Sequence, residues 1–206
     1  TTIPNELFGM MADPDHSLMP YLHIPMQACC DRTLAGMKRK YGMEEMAAFF
    51  DRAAKAIPTL CLGTDLMVGF PGETESEFEE TCDRFLNLPF AYCHVFTFSE
   101  REGTPAAKMD EQVPVEGRRL RSAHLRRLSA AKRMCFHENQ LGKVYRVLLE
   151  NPKDGFYAGY TDHYVRVVVP QAPRGLENRM AFIRMKKATP EFIEGELVSY
   201  EGEDEC

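Results

Sequence analysis

A glycine-rich turn between a predicted strand and a predicted helix is the first feature of this sequence that could bind a ligand. Residues 60–68 form a mostly apolar run, which Gly69-Phe70-Pro71-Gly72 ends abruptly. Thr74 is positioned as the N-cap of the following helix, with Glu77 as its capping-box partner. A glycine lets a ligand approach bare backbone, and the helix N-terminus beyond it is electropositive. The same spacing is also typical of an ordinary strand-to-helix turn, so both interpretations stay open at this point.

Two other predicted strands end where they could contribute to the same site. Residues 21–27 end at the polar Gln27, with Pro25 marking a bulge or strand end, and residues 92–98 form a third strand. The predicted helices are residues 31–39, 43–56 and 75–88. This order predicts a parallel α/β sheet with right-handed crossovers. Because chemistry in such sheets lies at the carboxyl ends of the strands, we expect the site at residues 27–30, 69–73 and 98–104.

Three local predictions concern the helices. A short amphipathic helix is expected at residues 5–11, and Asp31 is placed to cap the helix of residues 31–39. The apolar residues of the two later helices are expected to face a core. They are Met46, Phe49, Phe50 and Ala53 in residues 43–56, and Phe78, Cys82, Phe85 and Leu86 in residues 75–88.

A long helix predicted over residues 115–141 is unusually basic. Seven cations lie on it with no acid between the first and the last. They are Arg118, Arg119, Arg121, Arg126, Arg127, Lys132 and Arg133. A solvated face explains any one of them, whereas the whole set also fits a phosphate-facing stripe.

Beyond Gly142 the sequence changes to short apolar or alternating runs separated by turns. They are residues 144–150, 156–160, 164–169, 180–185 and 197–200. Five short strands in this space predict a small β-barrel of the oligonucleotide-binding type. We therefore expect domains at residues 1–141 and 142–200, followed by an acidic tail at residues 201–206.

The composition excludes several classes of protein. The chain has 206 residues, 44% of them hydrophobic, and a net charge of -6, which does not by itself indicate a nucleic-acid binder. No run is long enough for a membrane span and no signal peptide is visible. The seven scattered cysteines indicate a reducing cytoplasm rather than a disulfide framework. Because the sequence begins with Thr1 in a helix-like stretch, we expect a fragment.

Several motifs occur together and in order. They are His23-Ile24-Pro25-Met26-Gln27, residues 34–41, residues 64–73, and Phe96-Thr97-Phe98-Ser99-Glu100-Arg101-Glu102-Gly103-Thr104. This set resembles the radical S-adenosylmethionine (SAM) methylthiotransferases, and residues 142–200 resemble the TRAM domain that follows their catalytic barrel. The resemblance implies the second half of a radical-SAM partial (β/α) barrel followed by a small all-β barrel.

The family carries SAM and two 4Fe-4S clusters, one of them held by a CxxxCxxC loop. No cysteines of this sequence have that spacing. Because a cluster needs thiolates placed around one cube, we expect that Cys29 and Cys30 are not ligands. We also expect that this 206-residue chain is inactive on its own. The sulfur source and the reductant stay open.

The resemblance also implies roles for individual residues. Cofactor binding is expected from Gln27, Asp65, Met67, Gly69, Val95 and Phe96. RNA binding is expected from Arg39, Arg101, Arg119, Arg126, Arg146, Arg166, Arg184 and Lys186. For Arg39 and Arg101 a carboxylate is an alternative ligand, because the guanidinium fork pairs with both groups. His23 has no metal partner at a suitable spacing, so we expect a core histidine and no metal site.

The branch of the family decides the substrate. The branch that modifies an aspartate of a ribosomal protein usually has Asp where His23 stands, so His23 favours the tRNA branches. Residues 94–96 and 101–107 look most like the branch that modifies threonylcarbamoyladenosine next to the anticodon, with the isopentenyladenosine branch as the alternative. The expected partner is then a tRNA anticodon stem-loop, with no membrane involved. A stand-alone RNA-binding module is the non-enzymatic alternative.

Overall fold

The computed structural model describes residues 3, 4 and 6–202. Its helices are α1 (Glu6–Ala12), α2 (Asp31–Gly36), α3 (Met43–Ala56), α4 (Glu75–Asn87) and α5 (Val115–Glu138), with a 3-10 turn at Ala106–Lys108. Its strands are β1 (Tyr21–His23), β2 (Cys61–Val68), β3 (Tyr92–Thr97), β4 (Val144–Leu149), β5 (Tyr157–Thr161), β6 (Arg166–Val169), β7 (Met180–Ala188) and β8 (Ile193–Tyr200).

Contacts group the chain into two compact units. The sheet unit comprises residues 22–58 and 62–132, and the barrel unit comprises the residues up to 21, residues 59–61 and those from 133 onward. Among the described residues, no helix has the length and apolar character needed to span a membrane.

The sheet unit is built on a three-stranded sheet in the order β1-β2-β3. β2 pairs in parallel with β3, so that Asp65 lies opposite His94. β1 ends earlier than predicted, at His23, because Pro25 has no N–H to donate to a neighbouring strand. Pairing resumes at Gln27, which forms an isolated parallel bridge with Leu66. The predicted parallel α/β arrangement is confirmed.

The start of α4 follows the sequence prediction. The Thr74 side chain accepts the Glu77 N–H, and the Glu77 carboxylate accepts the Thr74 N–H at 2.8 Å, which completes a capping box. Leu86 was expected to face the core, but it is 43% exposed. Phe78, Cys82 and Phe85 are the apolar residues of its buried face, which also contains Glu77 and Thr81.

Asp31 does not cap its own helix. α2 has Cys30 at its N-cap position, with no side-chain hydrogen bond there. The Asp31 carboxylate instead accepts the N–H of Met43 at 2.7 Å, at the first residue of α3. The predicted cap was therefore wrong, because a partner twelve positions away satisfies this carboxylate. The short helix predicted over residues 5–11 is found as α1, although residue 5 lies outside the described residues.

The barrel unit contains a closed five-stranded barrel in the order β4-β5-β6-β8-β7. Its interior is apolar, with Val147, Leu149, Val167, Ile183 and Ile193 fully buried. Side chains alternate along each strand, so the polar positions of β4 and β7 face outward. The predicted small β-barrel is confirmed, although β8 begins at Ile193 rather than at residue 197.

His163 makes the stability of the barrel unit dependent on pH. This side chain is 2% exposed, and its ring centroid lies 4.5 Å from that of Tyr145. Burial, together with the nearby Lys143 and His137, lowers the pKa of His163 to about 4. An unfolded histidine takes up a proton near pH 6.5. The folded barrel must therefore lose stability as the pH falls from about 6.5 toward 4, by up to about 3 kcal/mol.

We predict that His163→Phe removes this component of the pH dependence, because phenylalanine cannot take up a proton in the unfolded chain. Thermal unfolding at pH 7 and pH 4.5 measures the change for the native chain, for the variant and for the exposed control His16→Asn. The control should keep the native pH dependence. An equal loss of stability on acidification in all three proteins would contradict the assignment to His163.

Candidate ligand-binding site at the strand ends

A pocket of about 580 Å³ opens at the carboxyl ends of the strands of the sheet unit. Gln27, Met67 and Phe96 reach it from three neighbouring positions of the sheet. Arg39 and Arg101 also line it. Five of the residues predicted from sequence to bind ligands therefore share one pocket.

Gln27 is held in place by its backbone. Its N–H donates to the Asp65 carbonyl at 2.8 Å, and its carbonyl accepts the Met67 N–H at 2.8 Å. The φ angle of Gln27 is 73°, which is uncommon for a residue with a side chain. Such backbone conformations persist where the surrounding structure fixes them, and they concentrate at functional sites. The two hydrogen bonds provide that fixation here.

The pocket combines apolar surfaces with a cationic edge. Phe96 is 50% exposed and offers an aromatic face beside Met67. Lys38, Arg39 and Arg101 supply positive charge. Flat apolar surfaces with a few placed polar groups suit a heteroaromatic ring, and guanidinium groups suit a carboxylate or phosphate. Phe70, Phe98 and Met109 also line the pocket, although no sequence motif indicated that they contact a ligand.

Asp65 and Val95 do not line this pocket. The Asp65 carboxylate lies 2.8 Å from Nε2 of His23, one side-chain layer before Met67 on the same face of β2. Val95 is 9% exposed, and its carbonyl accepts a hydrogen bond from Arg126 at 3.1 Å. Cofactor contacts by these two residues remain predictions from the resemblance.

His23 is not an isolated core histidine. It forms a group with Asp65 and His94, whose ligand-type atoms all lie within 4.8 Å of one another. The expectation that His23 lacks a suitably placed partner was wrong, because the register of a parallel sheet aligns residues that are far apart in sequence. Among the described residues, no other group of three such side chains is found.

The glycine turn after β2 is tied to α5. Gly69 has a φ of +74°, and its N–H donates to the Glu73 carboxylate at 3.0 Å. A Cβ at this position would lie 2.4 Å from Cγ of Arg118. The side chain that needs the bare backbone of Gly69 in this structure is therefore Arg118. Contact between Gly69 and a cofactor remains a prediction.

Four of the seven cations of the basic helix make hydrogen bonds or ion pairs to the sheet unit. The guanidinium of Arg118 donates to the carbonyls of Val113 and Phe98 and to the Glu100 carboxylate. Arg121 pairs with Glu73 at 2.7 Å. Arg126 donates to a β3 carbonyl, and Lys132 donates to the carbonyls of Leu86 and Leu88 at the end of α4. These four side chains have partners within the sheet unit, so α5 does not present all seven cations as one free phosphate-facing stripe, and RNA contact by Arg126 remains a prediction.

The remaining predicted RNA contacts lie on exposed surfaces. Arg119 is paired with Glu116 at 2.9 Å on the outer face of α5, where its side chain is 73% exposed. Arg166 lies 4.8 Å from the Tyr160 ring centroid and pairs with Glu150. Arg184 donates to the Gly142 carbonyl, and Lys186 pairs with Glu196. Arg146 is exposed on β4.

Most of the described cysteines are buried. Of the six in the described residues, five are buried and Cys135 is exposed. Burial raises the pKa of Cys29 and of Cys61 to about 12, and that of Cys82 to about 11. A cluster is bound by thiolates, and the expectation that Cys29 and Cys30 are not cluster ligands remains a prediction.

Comparison with known proteins shows which families this sequence is similar to. The model of the Radical SAM superfamily matches residues 7–85. A tRNA-2-methylthio-N(6)-dimethylallyladenosine synthase of Maricaulis maris is 35% identical over 87% of this chain and 40% of its own length. A threonylcarbamoyladenosine tRNA methylthiotransferase of Bacillus subtilis is 34% identical over 90% of this chain and 42% of its own length.

Residues 7–85 thus match the radical SAM superfamily, and over most of its length the chain is similar in sequence to tRNA methylthiotransferases. It spans about two fifths of the length of these curated relatives. Both kinds of tRNA methylthiotransferase occur among them, so the comparison leaves the choice between the two modified adenosines open.

We predict that Gly69→Ala lowers the free energy of unfolding by clearly more than Gly103→Ala does. Both glycines have a positive φ, of +74° and +82°, but an added Cβ would meet nothing within 4 Å at Gly103. The Gly103→Ala control should therefore lose only the free energy of the backbone strain, about 1 kcal/mol. Displacing the buried Arg118 should add about 1 to 3 kcal/mol at Gly69. Urea unfolding measures both, and equal losses would remove Arg118 from the explanation.

Proposed function

We propose that this chain is the part of a tRNA methylthiotransferase that binds the adenosyl portion of SAM at the strand-end pocket. The observation that carries the proposal is the convergence of Gln27, Met67 and Phe96 in one pocket. Met67 and Phe96 offer apolar surface to an adenine ring, and Gln27 offers an amide to hydroxyl or amino groups. SAM, once bound with a cluster, would supply the radical chemistry of the family.

The two 4Fe-4S clusters of such an enzyme would need ligands other than the buried cysteines of this chain. The chain on its own is then expected to bind the cofactor without cleaving it. The role that we assign to its residues is to position the adenosyl group and to hold the substrate RNA.

For the substrate we favour the threonylcarbamoyladenosine of a tRNA anticodon loop. The threonylcarbamoyl group carries a carboxylate, and the pocket has Lys38, Arg39 and Arg101 along its edge. The dimethylallyl group of the alternative substrate is apolar and gives these cations no partner. Relatives named for the dimethylallyladenosine activity are nevertheless the more numerous, so that substrate is the second candidate.

The barrel unit offers a surface suited to single-stranded RNA. Tyr160 and Tyr164 stack with ring centroids 4.6 Å apart, and Arg166 lies over Tyr160. Tyr160 is opposite Arg166 on β6 and opposite Leu148 on β4, so aromatic, aliphatic and basic side chains form one outward-facing row. Unstacked bases bind aromatic faces while cations contact the backbone. The anticodon loop presents both kinds of group.

We predict that Phe96→Ala weakens binding of S-adenosylhomocysteine by about tenfold, because an aromatic contact contributes about 0.5 to 1.5 kcal/mol beyond the buried area. Isothermal titration of the whole chain measures the affinity. Phe156→Ala is a matched control, since Phe156 is 47% exposed in the barrel unit and Phe96 is 50% exposed. The control should bind as the native chain does. Unchanged affinity of the Phe96 variant would exclude this pocket.

We further predict salt-dependent tRNA binding by the outer face of β4 and β7. The double variant Arg146→Gln and Arg184→Gln should lower the slope of log affinity against log salt by about 1.4 to 1.8, at about 0.7 to 0.9 per lost phosphate contact. Fluorescence anisotropy at several salt concentrations measures it. The charge-matched control Arg52→Gln with Lys55→Gln, on the exposed face of α3, should keep the native slope. Equal slopes for both double variants would place the interface elsewhere.

A further inference from the structure

Three polar side chains form a row across the sheet, one layer before the strand-end pocket. His23 ends β1, Asp65 lies within β2, and His94 lies within β3. Nε2 of His23 is 2.8 Å from the Asp65 carboxylate, and the two imidazole centroids are 5.3 Å apart. Two imidazoles and a carboxylate thus meet on one face of the sheet.

The fold brings these residues together through backbone register. Asp65 and His94 are direct partners in the parallel ladder, and the N–H of Ile24 donates to the carbonyl of Gly63. Gly63 also leaves the room that the row needs, because a Cβ there would lie 2.8 Å from Nδ1 of His23 and 2.7 Å from the Tyr92 hydroxyl. The row is therefore placed by three strands of a rigid sheet, which gives it a fixed geometry.

The arrangement fits a divalent metal ion. Ion-to-ligand distances of about 2.0 to 2.2 Å place the ligand atoms of neighbouring residues about 3 to 3.5 Å apart. In this structure the ligand-type atoms all lie within 4.8 Å of one another. Side-chain rotations that move these atoms by little more than about 1 Å would bring them to the spacing that a bound ion requires. Two histidines and one carboxylate are the ligands of many sites for Fe²⁺ and Zn²⁺ that keep positions open to solvent or substrate.

We propose that His23, Asp65 and His94 bind one divalent transition-metal ion of the Fe²⁺ to Zn²⁺ class. His94 is exposed while His23 and Asp65 are half-buried, which leaves the remaining coordination positions accessible. These positions face the same side of the sheet as Met67 and Phe96, two residues further along β2 and β3. The ion would lie beside the pocket and would be separate from any iron–sulfur cluster. The proposal does not depend on SAM or tRNA binding.

The test is metal binding by the whole chain without any cofactor. Thiols that could bind Co²⁺ or Zn²⁺ themselves are removed first. Cys135→Ser removes the exposed thiol, and Cys206→Ser is added because the structure does not describe that residue. Co²⁺ is titrated and followed by its visible absorption, and bound Zn²⁺ is measured by equilibrium dialysis. We expect one ion per chain. Loss of a supporting residue around a metal typically costs about 10- to 100-fold in affinity, so Asp65→Asn and His94→Gln should each cost at least tenfold.

The double variant His16→Gln with His124→Gln is the control, because both histidines are exposed and outside the row. It should keep the native stoichiometry and affinity. Histidine-ring NMR with Zn²⁺ gives a second reading, in which the signals of His23 and His94 shift and those of His16 and His124 do not. Absence of binding by the native chain, or equal binding by His94→Gln, would overturn the proposal. Because His94 is exposed, its variant keeps the test valid even where Asp65→Asn unfolds.

Discussion

The buried carboxylate of Glu73 is the interaction on which the rest of the sheet unit depends. It accepts the N–H of Gly69 at 3.0 Å and the guanidinium of Arg121 at 2.7 Å, and its side chain is 5% exposed. Burial raises the pKa of Glu73 even though Arg121 lowers it, so desolvation outweighs the attraction. Such a pair adds little net stability, but removing one partner leaves an uncompensated charge. Its effect is to fix the turn after β2 against α5.

That fixed turn sets the geometry of the strand-end pocket. Arg118 packs on Gly69 and reaches the carbonyl of Phe98 and the carboxylate of Glu100, so the same helix holds the segments that follow β2 and β3. Gln27 is bonded to β2 on the other side. The strand ends are thus held by backbone hydrogen bonds and by buried arginines. A pocket assembled in this way is largely preformed, which lowers the entropic cost of binding a ligand.

Sequence motifs predicted correctly those elements whose formation depends on neighbouring residues. The predictions that were wrong or ambiguous concern residues whose partners lie far away in sequence. The apolar run before Gly69 and the Thr74 capping box indicated β2 and α4 because each depends on neighbouring residues. Asp31 was misassigned because its partner is the N–H of Met43. The role of the α5 arginines could not be decided from sequence, because Arg121 pairs with Glu73, which lies 48 positions away. The row of His23, Asp65 and His94 follows from register alone, which no spacing along the sequence reveals.

We have proposed that the adenosyl group binds at the strand ends of the sheet unit. NMR of chains with ¹³C-labelled methionine methyl groups tests it most directly, because Met37, Met67 and Met109 line the pocket while Met180 and Met185 belong to the barrel. We expect S-adenosylhomocysteine to shift the first three signals and to leave the other two unchanged. Shifts confined to Met180 and Met185, or no shift at Met67 at saturating ligand, would contradict it.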